Sequence, residues 1–196
     1  PVAAKVPRDA QLQQLLQIPQ KRKRESKSDA DCLQVWRVKG FPRGALCALW
    51  DEGIPVTAWA GVTFGLAGGT LAGRVVSIDL QSKGLTGKVP AALKGLTALT
   101  ELNLNYNKIV MLPAELGELT ALTVLRLDGN AMQCGTLVPG GLTALTELTL
   151  RKNNLDRLPY RLGGLTALTQ LDLGCNKLKN FGGDFWRERW AELGML

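Results

Sequence analysis

The chain contains no histidine, which removes the commonest general base and a leading metal ligand from its chemistry. Cysteine is scarce, four in 196 residues, and no two form a C-x-x-C pair, which sets a zinc site aside. Aromatic residues are only 6% of a composition that is 45% hydrophobic, so any continuous core must be built from aliphatic side chains. No apolar run approaches the roughly 18 residues of a membrane span, and no charged-then-apolar leader opens the chain. The first residue is Pro1 rather than Met, from which removal of an amino-terminal piece is expected, by truncation or as an organelle-targeting peptide. No Ser-Lys, Cys-His or paired-carboxylate arrangement stands out. Two glycine-bearing stretches fail as phosphate cradles: 65–73 lacks G-x-G-x-x-G and a following Lys-Ser or Lys-Thr, and in 84–88 the next residue, Val89, replaces the needed hydroxyl. The expectation is a protein that is not an enzyme and carries no cofactor and no metal.

What the chain has is leucine at a fixed period. The skeleton L-x-x-L-x-L-x-x-N-x-L is met by Leu99, Leu102, Leu104, Asn107 and Ile109, then by Leu122, Leu125, Leu127, Asn130 and Met132. It returns as Leu145, Leu148, Leu150, Asn153 and Leu155, and as Leu168, Leu171, Leu173, Asn176 and Leu178, each start 23 residues after the last. An earlier copy begins at Val75, with Ile78, Leu80 and Leu85, and carries Lys83 at the Asn position. A self-similar period of this length is the signature of a stacked architecture. The L-x-L alternation puts two leucines on one face of a short strand. One unit cannot bury its own leucines, so neighbours must stack, with parallel strands about 4.8 Å apart. The Asn at each turn off the strand is placed to satisfy backbone groups that strand pairing leaves over; Lys83 weakens that ladder at its first end.

These five units resemble the leucine-rich repeat family. The first, with Leu85, Gly87, Val89 and Pro90, looks like the plant type; the units with Leu112-Pro113 and Leu158-Pro159 look like the shorter intracellular type, and the third departs, reading CGTLVPGG. The resemblance implies an α/β fold: a solenoid with a curved parallel β-sheet on the concave face, short helical or extended convex segments, and a cap at each end. Residues 31–74 look like the amino-terminal cap of plant-type repeat proteins, with Trp36, Trp50 and Trp59 as covers for the exposed end of the leucine stack and a loop at 65–73 before the first strand. The repeats then occupy 75–180, and a capping helix 181–196.

The family cap usually brackets its tryptophan with cysteines, yet none stands near Thr57 or Phe64. Cys134 and Cys175 lie two repeats apart, about 9 to 10 Å by strand spacing and beyond disulfide reach; a Cys32–Cys47 bridge stays open. A reducing, intracellular compartment, cytoplasm or nucleus, is therefore expected, with an organelle as the alternative after removal of a targeting peptide.

Residues 1–30 form a basic, extended arm, in which Leu12, Leu15, Leu16 and Ile18 suit one side of a short helix. The run Lys21, Arg22, Lys23 and Arg24 reads as a solvated linker, a contact for an acidic partner or a nucleic-acid arm. At the other end Phe185, Trp186, Arg189, Trp190 and Leu193 follow helical spacing behind Asp184, as a seal on the last repeat or as an aromatic docking helix.

The surface expected to act is the polar face of the strands, with Asp79, Glu101, Asn103, Asn105, Tyr106, Arg126, Asp128, Glu147, Arg151, Lys152 and Asp172 as partner-binding residues, and Lys21, Arg22, Lys23, Arg24, Trp186 and Trp190 as secondary contacts. The rows mix both signs and hold no basic stripe of the kind a nucleic-acid tract needs. Another protein is the expected partner: the chain reads as an interaction scaffold, with an accessory subunit of a larger assembly, or the sensing segment of a longer receptor or regulatory enzyme, as alternatives.

Overall fold

The structure, a computed structural model, describes residues 28–37, 55–66, 68–133, 140–157 and 160–179. In it the strands β2 (Val75–Asp79), β4 (Glu101–Asn103), β6 (Val124–Arg126), β7 (Glu147–Thr149) and β8 (Gln170–Asp172) pair side by side in parallel, in the order of the repeats. Ile78, Leu102, Leu125, Leu148 and Leu171 stand in one register row and are all buried. Their flanking residues face the opposite way because side chains alternate along a strand. The skeleton leucines from Leu80 to Leu173 fill a single apolar core, as the period predicts.

Two side-chain ladders run the length of this stack. Asn107 Nδ2 donates to the carbonyls of Leu80 and Leu104 at 2.9 Å each, while its Oδ1 accepts from the amides of Lys83 and Leu85. Asn130, Asn153 and Asn176 repeat the pattern one, two and three turns along. At the other end of the strands, the hydroxyls of Thr100, Thr123, Thr146 and Thr169 each donate to a carbonyl of the preceding repeat, at 2.8 to 3.1 Å. The Asn ladder thus supplies buried backbone groups that strand pairing leaves over, whereas the Thr hydroxyls add a further bond to carbonyls that already accept a backbone N–H.

The residue just before each ladder position is left-handed: φ is +56° at Ser82, +55° at Tyr106, +63° at Gly129, +55° at Lys152 and +57° at Cys175. Only one of the five is glycine, so the composition of the turn gave no sign of this.

The return side is built by short 3-10 helices. Pro90 and Pro113 precede those at Ala91–Gly95 and Ala114–Glu118, and another spans Tyr160–Gly164. Proline suits that place because its fixed φ fits a helix start and its missing N–H is not needed there. Beside them, β3 (Thr86–Lys88) and β5 (Lys108–Met111) form a small parallel sheet, a pairing not expected from the sequence.

The amino-terminal cap also holds two elements beyond the expectation. Helix α1, Asp29–Val35, starts at a capping box in which Ser28 and Asp31 exchange side-chain and backbone bonds. It rests on the 3-10 helix Ala91–Gly95 so tightly that a Cβ on Gly95 would lie 2.1 Å from Cys32 Sγ. The strand β1, Val62–Phe64, adds antiparallel to β2 at the edge of the sheet, and the described residues between them, 65–66 and 68–74, fall in the loop expected there. Gly61 makes the approach feasible: at φ +79° its carbonyl accepts from Asp79 N at 2.7 Å, and a Cβ there would sit 2.0 Å from the Asp79 carbonyl oxygen. Trp36 and Trp59 are buried over the end of the stack, as expected of covers. Trp50, the arm at 1–27, the CGTLVPGG segment from Cys134 to 139 and the helix expected at 181–196 lie outside the described residues.

Candidate functional site

Strand pairing sets the polar face out as rows across the repeats. The first row is Ser77, Glu101, Val124, Glu147 and Gln170, and the second Asp79, Asn103, Arg126, Thr149 and Asp172. Continuing the same alternation gives Gln81, Asn105, Asp128, Arg151 and Gly174, then the left-handed column from Ser82 to Cys175. Six of the eleven residues expected to bind a partner, Asp79, Glu101, Asn103, Arg126, Glu147 and Asp172, therefore share one face of one sheet, and Asn105, Tyr106, Asp128, Arg151 and Lys152 follow just past the strand ends.

They differ in how available they are. Asn103 and Asn105 are each only 8% exposed. Asn103 donates to Gln81 Oε1 at 3.2 Å and accepts from Asn105 N at 3.1 Å, while Asn105 accepts from Asp128 N at 2.7 Å. These two amides hold neighbouring turns together. Burial was not visible in the polar pattern, because an amide lining the sheet and an amide facing water have the same letter.

Arg126 sits at the centre of the face between two carboxylates. Its Nε donates to Glu147 Oε1 at 2.8 Å and its Nη2 to Glu147 Oε2 at 3.3 Å, while Nη1 donates to Glu101 Oε1. The hydrogen bonds to Glu147 and then to Glu101 raise its pKa above the ordinary arginine value, against a desolvation that acts the other way. The three form a fixed acidic knot, carrying one excess negative charge, rather than a free cation. Tyr106 is 52% exposed, and its ring lies over Gly129, where a Cβ would come within 2.6 Å of Cδ1. Arg151 and Lys152 are exposed, Asp79 is exposed, and Asp128 and Asp172 are half-buried. Asp79, Asp128 and Asp172 each accept one backbone N–H, from Gln81, Arg151 and Gly174, which orients the carboxylates without neutralising them. Of the secondary contacts, Lys21, Arg22, Lys23, Arg24, Trp186 and Trp190 lie outside the described residues.

A second concavity, of about 730 Å³, opens between the cap and the first repeats. Its polar lining is matched internally: buried Asp29 accepts from Arg74 Nε at 3.1 Å and Val75 N at 2.6 Å, Arg74 Nη2 donates to Thr97 Oγ1 at 2.8 Å, and Lys94 pairs with Glu118 at 3.7 Å. That is a seam locking cap to solenoid, and it presents little unmatched chemistry to a ligand. Among the described residues no helix is long and apolar enough to cross a membrane.

Comparison with known proteins agrees with the repeat architecture. The family model described as leucine rich repeat matches residues 74–132, and that described as leucine rich repeats in two copies matches 143–186. No curated protein matches the sequence. Among solved structures, the BIR2 ectodomain from Arabidopsis thaliana is similar at TM-score 0.62 and 22% identity, over 78% of this chain and 94% of that one. A chain of the BIR3–SERK2 complex from the same plant is similar at TM-score 0.65 and 26% identity, over 80% and 90%. A plant peptide hormone receptor, RGFR1 in complex with RGF2, reaches TM-score 0.54 and 30% identity over 71% of this chain but 20% of its own.

These likenesses correct the expected compartment. The lack of a disulfide framework implies a reducing, intracellular site in cytoplasm or nucleus, whereas the similar structures include the BIR2 ectodomain and a plant peptide hormone receptor, which points away from both. The physical reason is that leucine packing and the Asn and Thr ladders already hold the described repeats together, so cysteine scarcity carries no information on redox surroundings. Cys32 is buried, and Cys175 is exposed with a free thiol, in line with the expectation that it forms no bridge to Cys134; Cys47 and Cys134 themselves lie outside the described residues.

Proposed function

The chain is a leucine-rich repeat protein, and from that premise we propose that it is a non-catalytic interaction module binding another protein through the concave face of its sheet. The observation that carries the reading is the contrast between the two sides of each strand. Inside, the row is Ile78 followed by four leucines; on the concave side the next register row holds Asp79, Asn103, Arg126, Thr149 and Asp172. Stacking alone asks only for polarity at these positions, so varied charge held in fixed geometry, with one exposed aromatic, suits recognition. Similar structures come from complexes, one with a protein partner and one with a peptide hormone, which supports the same reading.

Five strands give a patch about 20 Å across and, at three residues for most of them, about 10 Å deep; that is about 200 Å² against the ~800 Å² that each side of a standard interface buries. The flanks of the sheet, or the chain's ends with Lys21 to Arg24 and Trp186 and Trp190, are needed to complete it. Docking through those ends alone, as an accessory subunit, is the alternative in which the concave face stays empty. The sensing segment of a longer receptor or regulatory enzyme is a second reading, suggested by the likeness to RGFR1, a plant peptide hormone receptor.

Photo-crosslinking decides between faces. A photoreactive residue at Gln81 or Gln170, on the concave side, should give adducts with a native partner, and one at Lys88 or Ala114, on the return side, should not. Adducts from the return side alone would overturn the proposal.

A further inference from the structure

Resting on that reading of the concave face, we propose that its partner supplies a cationic, extended segment lying across the strands over their first two rows, with the Thr149 hydroxyl as a polar contact beneath it. The chain as a whole carries a net charge of +7, yet these two rows oppose it. They hold four carboxylates, Glu101, Glu147, Asp79 and Asp172, against one guanidinium, Arg126, which is already committed to two of them. Asp79 and Asp172 form no ion pair among the described residues. They mark the two ends of the second row, four strand spacings or about 19 Å apart, which an extended segment covers in about six residues. An even spacing returns both of its end side chains to the same face. On the turn side of the rows stand half-buried Asp128 and the exposed cations Arg151 and Lys152, a net positive flank that disfavours a cationic segment there, although the Arg151 guanidinium also lies near Asp172.

Thr149 gives a second and independent indication. It is 8% exposed, and its Oγ1 has no hydrogen-bond partner. Strand register places it between Arg126 and Asp172, two positions along from Glu147. A buried hydroxyl without a partner is a cost to the free protein that a buried valine of the same shape avoids. Its retention in an acidic row fits a lone pair kept for a donor, and an ammonium or guanidinium is the donor those carboxylates would draw in.

The test uses the full chain and a fluorescein-labelled octalysine peptide, read by fluorescence anisotropy. The double variant Asp79→Asn/Asp172→Asn removes two charges while keeping the Oδ1 acceptors of the Gln81 and Gly174 turns, just as Asn103 already serves Asn105 in the second repeat. It is expected to bind octalysine roughly tenfold more weakly, from two contacts of about threefold each, with an unchanged melting temperature. Thr149→Val is expected to melt higher than the native chain and yet bind about fivefold more weakly. Equal octalysine affinity in the native chain and the double variant would overturn the acidic track; a Thr149→Val chain that is both more stable and equally tight would remove the hydroxyl from it. If the track fails while concave photoadducts with the native partner persist, this inference falls and the binding face stands.

Discussion

Replacing Asn107 with alanine should damage the solenoid more than the same change at any later ladder position, and the hydrogen-bond arrangement says by how much. In the interior each ladder carbonyl has two donors: Leu104 O accepts from both Asn107 and Asn130, Leu127 O from Asn130 and Asn153, and Leu150 O from Asn153 and Asn176. Removing Asn130 therefore leaves those oxygens one partner each and strips only the Ile109 amide completely. One orphaned buried N–H and two lost second bonds cost about 2 to 4 kcal/mol. Asn107 has no ladder neighbour before it, because Lys83 stands there. Its loss strips the buried Leu85 amide and the Lys83 amide, and takes the Asn donor from Leu80 O, for about 3 to 5 kcal/mol. Guanidinium unfolding of Asn107→Ala, Asn130→Ala, Asn153→Ala and Asn176→Ala measures the series; the half-buried Asn176 should be mildest. Equal losses at all four positions would refute the reasoning, since they would mean that neighbour sharing of carbonyls carries no weight.

Three further outcomes follow from other contacts. Thr123→Val should lower stability by about 0.5 to 1.5 kcal/mol through the lost 3.0 Å bond to Thr100 O, seen as a lower thermal midpoint, whereas Thr149→Val should raise it. Asp29→Ala leaves Val75 N and Arg74 Nε without their carboxylate, and should cost about 2 to 4 kcal/mol, with amide exchange accelerating in 29–35 and 75–79 before the later repeats. Gly95→Ala drives a methyl into Cys32 Sγ and should destabilise by about 1 to 3 kcal/mol; adding Cys32→Ala should recover most of that in a double-mutant cycle, and no recovery would place the strain elsewhere.

The repeat was legible because stacking imposes it on the letters. Only leucine-like side chains fit the shared core, and only an amide can donate to two turns and accept from a third group at once, so Leu102 and Asn107 return every 23 residues. Register followed, and with it the shared face of Asp79, Arg126 and Asp172. Helix α1 was missed although Ser28 and Asp31 show the capping-box spacing, because two turns with few apolar positions give little periodic signal. Strand β1 is three residues long and owes its place to Gly61 meeting the Asp79 backbone, a contact between segments that no local pattern records. Burial of Asn103 and Asn105, and the clasp on Arg126, depend on side chains one repeat away. The compartment was misjudged for a different reason: absence of cross-links was taken as a sign of environment in a fold that does not need them.

The central claim, that the concave side meets the partner, is tested most directly by hydroxyl-radical footprinting of the chain alone and in complex. Tyr106 and Cys175 are exposed on the concave side, and Val110 is exposed at β5 on the return side. The partner should suppress modification of Tyr106 and Cys175 and leave Val110 unchanged. Protection of Val110 with Tyr106 still fully reactive would contradict it.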